Sequence, residues 1–102
     1  MLNILRKMFG AQTDYKALLH NGAMIIDVRT EAEFKSGHIK NSRNIPLNII
    51  TGKIEELRNK EKPVITVCRS GNRSGMAQSV LAAAGIEAYN GGAWNQLEAK
   101  IQ

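Results

Sequence analysis

The sequence predicts an α/β domain built on a mainly parallel sheet. Two continuous apolar runs, Ala23-Met24-Ile25-Ile26-Asp27-Val28 and Pro63-Val64-Ile65-Thr66-Val67-Cys68, lack the polar alternation of a half-exposed strand. They read as strands covered on both faces. Stretches with helical spacing separate them, and strands alternating with helices give a parallel α/β sheet. The chain has 102 residues, enough for one ordinary domain, with 43% hydrophobic and 23% charged residues. That composition excludes disorder and permits a core that needs no cross-links.

The elements follow in order. Residues 1–10 read as an N-terminal extension and 11–102 as the domain. Leu2, Ile4, Leu5, Met8 and Phe9 read as a short sticky helix, expected to pack on the domain's own surface. Asn3, Arg6 and Lys7 break this apolar run, so it is neither a signal peptide nor a membrane span. The chain therefore reads as cytoplasmic. Asp14 caps a helix carrying Tyr15, Leu18 and Leu19. Thr30 caps a second helix, Glu31 to Lys35, and Glu33 three residues on completes a capping box. A weaker strand, Ser42 to Ile45, stops at Pro46. Ile50, Ile54 and Leu57 fall at helical spacing, as do Met76, Val80 and Ala84, with Gly85 as the stop. A last strand, Ile86 to Tyr89, ends at Gly91-Gly92, and a final helix runs from Ala93 to Lys100.

Charge and metal ligands narrow the function. The net charge is +5 and the pI about 9.7. The basic residues are scattered, and no basic stripe with stacking aromatics marks a nucleic-acid surface. A small anionic substrate or an acidic protein partner accounts for the sign. One cysteine and two histidines cannot assemble the usual structural zinc sets, so no metal or other cofactor is expected.

Cys68 carries the chemistry. It ends the most apolar strand, at the carboxyl edge where ligands bind in parallel α/β sheets. The sequence continues C-R-S-G-N-R-S-G into a helix beginning near Asn72 or Arg73. Gly71 lets the loop turn back on itself, so its amides converge on an anion. The helix N-terminus, Arg69 and Arg73 add positive charge, and each of these features lowers a thiol pKa. A core cysteine would have no use for such a loop. No lysine completes a P-loop, and no base is placed beside Cys68 by spacing. Asp27 and Arg29 read as a structural pair, His38 as a satisfied structural histidine, and Trp94 as packing.

With these residues in view, the chain resembles a single-domain rhodanese over Ala11 to Leu97. The resemblance rests on three motifs in order. They are I-I-D-V-R-T-E-A-E-F-K-S-G-H-I-K-N-S-R-N-I-P (Ile25 to Pro46), the C-R-S-G-N-R loop, and G-I-E-A-Y-N-G-G-A-W (Gly85 to Trp94). One departure is Asn41-Ser42, where the family often has Gly-Ala. The resemblance implies a three-layer α/β/α domain with a central sheet of about five strands. It also implies a sulfurtransferase that moves sulfane sulfur through a persulfide on Cys68. The amides of Arg69, Ser70, Gly71, Asn72 and Arg73 would cradle the outer sulfur, and the arginines would hold an anionic donor such as thiosulfate. The acceptor must be external, cyanide, a thiol or a partner protein, because no second cysteine exists to resolve the persulfide. Two alternatives stand beside this. One is a sulfur relay or binding module for a specific partner. The other is a cysteine-dependent phosphatase or arsenate reductase, which the short C-x4-R loop disfavours against the phosphatases' C-x5-R.

Overall fold

The computed structural model of the chain describes residues 13–102. The apolar helix read at residues 2–9 lies outside them. Four strands, β1 (Met24–Asp27), β2 (Arg43–Asn44), β3 (Val64–Cys68) and β4 (Ala88–Ala93), form one parallel sheet in the order β2-β1-β3-β4. The sheet thus has four strands among the described residues, against the five or so that the resemblance implies. The helices are α1 (Tyr15–His20), α2 (Glu31–Lys35), α3 (Ile54–Lys60), α4 (Asn72–Ala83) and α5 (Trp94–Ile101), with a 3-10 stretch over Leu47–Lys53.

The two continuous apolar runs occupy the middle of the sheet as β1 and β3, and every residue of β3 is buried. Because side chains alternate along a strand, β3 feeds two cores. Val64 and Cys68 join Ile26, Leu57, Ala77 and Leu81 beneath α3 and α4. Ile65 and Val67 join Ile25, Leu97 and the flanks of Leu18 and Trp94 beneath α1 and α5. Helices on both faces of one sheet make the three layers.

The caps form as read. Asp14 Oδ1 accepts from the Ala17 amide at 3.0 Å. Thr30 and Glu33 make the reciprocal capping box. Gly85 follows α4 and its C-cap Ala84. Asn41 takes a left-handed φ of 71°. Asparagine tolerates that conformation better than other residues with a side chain, which explains why it can stand where the family often has glycine.

The structure selects the inward face of α4 and corrects the bounds of the last strand and helix. The inward stripe of α4 is Ser74, Ala77 and Leu81, whereas Met76 is 55% exposed and Val80 only partly buried. Met76-Val80-Ala84 and Ala77-Leu81 have the same spacing, and only the docking of α4 on β3 selects between them. The last strand starts at Ala88 and runs through Gly91-Gly92 to Ala93, so α5 begins at Trp94. Both glycines stay within the strand because β4 bulges there. Thr66 pairs with Asn90 and Val67 with Gly92, leaving Gly91 as the extra residue. A Cβ on Gly91 would lie 2.8 Å from Ile65 Cγ2 and 2.9 Å from the Thr66 carbonyl oxygen, so only glycine fits.

Candidate active site

Cys68 is the last residue of β3 and only 1% exposed. The chain then reverses through Arg69 and Ser70 to Gly71, whose φ of 102° lies in the left-handed region that favours glycine. Gly71 is the N-cap of α4. This reversal brings the loop amides back onto the sulfur. The Gly71 N–H donates to Cys68 Sγ at 3.0 Å and the Ser74 N–H at 3.4 Å. The Ser74 hydroxyl lies 3.3 Å from Sγ. Burial pushes the thiol pKa up and is the largest single influence. The Ser74 hydroxyl and the amides of Ser74, Gly71 and Ser70 together outweigh it, so the pKa falls below the ordinary thiol value.

The other loop residues separate by exposure. Arg69, Ser70 and Asn72 are exposed at the mouth of the loop. Arg73 is half-buried, and its guanidinium forms a bidentate pair with Glu33 at 2.7 and 2.9 Å. The Arg73 fork is thus held by α2 and partly neutralised. Glu33 accepts from Arg73 and from the Thr30 amide, which hold its carboxyl down at about 2 despite partial burial. Arg69 has no ion-pair partner among the described residues.

The flanking residues support this frame. Arg29 pairs with Asp27 through Nη2 at 2.7 Å and Nε at 2.9 Å, both side chains buried. It also donates to the carbonyls of Gly37 and Glu33 and lies 4.8 Å from the Trp94 ring centroid. One buried guanidinium thus ties the end of β1 to α2, the loop after it and α5. His38 stacks on Phe34 at 3.7 Å and its Nδ1 bonds the Phe34 carbonyl at 2.7 Å. Trp94 packs into the second core. Among the described residues no group of three or more His, Cys, Asp and Glu could hold a metal, and no helix is long and apolar enough to cross a membrane.

Three features were not evident from the sequence. Ser74 follows the loop motif and touches the sulfur, although the sequence reading assigned it no role. Glu33 read as a cap, and its pairing with Arg73, forty positions away, needs the tertiary fold. Asn90, next to the bulge, bonds Ser74 and the loop.

The family model for the rhodanese-like domain matches residues 11–97. The chain belongs to the rhodanese-like domain family. Relatives include the uncharacterized Bacillus subtilis protein YqhL, 44% identical over 69 residues, a match spanning 67% of this chain and 54% of that protein. A thiosulfate sulfurtransferase of Pseudomonas syringae is 36% identical over 71 residues, covering 70% of this chain and 66% of the relative. The match to the adenylyltransferase and sulfurtransferase MOCS3 of Drosophila virilis is 35% identical over 71 residues, 63% of this chain and only 16% of that protein. The chain thus spans from about a sixth to two thirds of these relatives. Among solved structures, a rhodanese from E. coli superposes with a TM-score of 0.66 at 28% identity, over 72% of this chain and 89% of that one. A human single-domain sulfurtransferase gives 0.64 at 25% identity, over 83% and 90%.

Proposed function

We propose that this rhodanese-like domain is a cytoplasmic sulfurtransferase carrying sulfane sulfur on Cys68. The observation that carries the reading is the pair of amides, from Gly71 and Ser74, aimed at the Cys68 sulfur, which favour its thiolate. The thiolate attacks the outer sulfur of a donor such as thiosulfate. The new S–S bond forms as the old one breaks, and sulfite leaves with the electron pair. The persulfide Cys68-S-S⁻ remains, and the charge balances. The amides of Arg69, Ser70, Gly71, Asn72 and Arg73 surround the outer sulfur, while Arg69 draws the anionic donor to the mouth. An external nucleophile then attacks the outer sulfur and releases the Cys68 thiolate, a ping-pong scheme.

The test is thiosulfate:cyanide sulfurtransferase activity by thiocyanate formation. The reading predicts parallel double-reciprocal lines and loss of activity in Cys68→Ala. Activity that survives Cys68→Ala would sink it.

A relay between proteins is the second reading, favoured by the Arg73–Glu33 pair. With Arg73 engaged, Arg69 alone of the two loop arginines offers a full charge without an ion-pair partner among the described residues to a doubly charged donor. A relay reacts faster with a protein persulfide than with thiosulfate at equal concentration.

A further inference from the structure

The side chain of Asn90 links the reactive loop to the bulged strand. Its Nδ2 donates to the Gly71 carbonyl at 3.1 Å, and its Oδ1 accepts from the Gly92 amide at 3.0 Å. A carbonyl only accepts and a backbone amide only donates, so these two partners fix which way the amide points. The same Oδ1 lies 2.6 Å from the Ser74 hydroxyl. At that distance an amide oxygen can only accept, so Ser74 gives its single proton to Asn90. Ser74 Oγ then faces Cys68 Sγ at 3.3 Å with lone pairs. That suits a thiol, which can donate its S–H. The hydroxyl favours the thiolate only once it turns its own proton from Asn90 to Sγ.

We infer that Asn90 is a positioning residue for sulfur transfer: it competes with Cys68 for the one proton of Ser74 and so sets how readily Cys68 becomes a thiolate. When Cys68 ionises, the Ser74 hydroxyl turns from Asn90 to Sγ, while Asn90 keeps the Gly92 amide as donor. When Cys68 carries the outer sulfur, the negative charge moves to that atom, Sγ no longer needs the proton, and Ser74 returns to Asn90. The bulge at Gly91 holds Asn90 in place, and the Tyr15 hydroxyl donates to the Asn90 carbonyl at 3.0 Å. The charged groups near the sulfur are Arg69 on the loop, Arg73 with Glu33 of α2, and Asp27 with Arg29 at the end of β1. None of these charged side chains bonds the Asn90 side chain.

The inference rests on Cys68 being the reacting group of the proposed transfer, yet it is read without sulfur chemistry. The measurement is the pH profile of Cys68 alkylation by iodoacetamide, on wild type, Asn90→Ala, Asn90→Asp, Ser74→Ala and Ser74→Ala/Asn90→Ala. Asn90→Ala removes the competitor, so alkylation below the midpoint speeds up roughly threefold to tenfold and the midpoint falls. Asn90→Asp keeps the oxygen that accepts from Ser74 and Gly92, adds a charge and loses the donor to the Gly71 carbonyl, so it holds the Ser74 proton more tightly, alkylation slows and the midpoint rises. Both Asn90 variants lose the bond to the Gly71 carbonyl, so the Ser74→Ala background separates any loosening of the loop from the loss of competition. In the Ser74→Ala background, Asn90→Ala changes nothing, because the proton is gone. An Asn90→Ala midpoint that stays put, rises, or falls equally with and without Ser74 overturns the inference. Midpoints that move as described while no variant makes thiocyanate would keep the inference and count against the sulfurtransferase reading.

Discussion

Glu33→Gln isolates one charge that serves two parts of the fold. The carboxylate closes the capping box on Thr30 and grips Arg73 at the start of α4. Glutamine keeps the shape and one acceptor for the Thr30 amide, but loses the charge and turns an N–H toward Arg73. The carboxyl is held at about 2 in the folded chain, against an ordinary value of 4.5 that the unfolded chain restores. Folding therefore releases its proton, and the stabilisation is complete above 4.5 and drains away as the pH falls through 2. Undiscounted, the depression is worth about 3 kcal/mol. The paired side chains are 32% and 30% exposed, and water screens such pairs, so about 1–2 kcal/mol is the figure to test. Urea unfolding at pH 7 should show the midpoint of Glu33→Gln lowered by roughly 0.5–1 M. At pH 3 the gap should shrink by about half or more. An equal gap at both pH values would refute the electrostatic reasoning and leave only a packing role.

Three further outcomes follow from the geometry. Gly91→Ala places a methyl against the Thr66 carbonyl and Ile65, and overpacking of that kind costs about 1–3 kcal/mol, lowering the Tm by several degrees in calorimetry. Leu81→Ala empties a fully buried site beneath α4 and should cost about 2–5 kcal/mol by urea unfolding, whereas Met76→Ala on the exposed face should change stability by less than about 0.5 kcal/mol. Arg69→Ala should raise the KM for thiosulfate severalfold and leave the KM for cyanide in place, as judged by steady-state thiocyanate assays.

The fold was legible where burial was total. β1 and β3 announced themselves because strands covered on both faces carry nearly continuous apolar runs, interrupted here only by the buried Asp27 and Thr66, and the caps at Asp14 and Thr30 are local hydrogen bonds between near neighbours. The inward face of α4 was not legible. Met76, Val80 and Ala84 have the right spacing, yet the crossing of α4 over β3 turns Ala77 and Leu81 inward instead. Nor was the course of β4, because Gly-Gly signals a turn locally and a bulge only when a neighbouring strand presses on it.

The Cys68 loop was legible in part for the same reason. The convergence of amides on Cys68 follows from a strand, a glycine and a helix start in succession. The pairing of Arg73 with Glu33 joins two segments that only the tertiary fold brings together, and local reading assigned each a different task. Ser74 and Asn90 escaped notice because serine and asparagine are common surface residues. Their meaning lies in a 2.6 Å contact between a helix and a strand.

The most direct test of the central claim is the intact mass of the protein after incubation with thiosulfate, compared with Cys68→Ala. The proposed persulfide predicts a gain of about one sulfur atom on the wild type, its removal by cyanide, and no gain on the variant. An unchanged wild-type mass with both thiosulfate and a protein persulfide, or an equal gain on Cys68→Ala, would contradict the account.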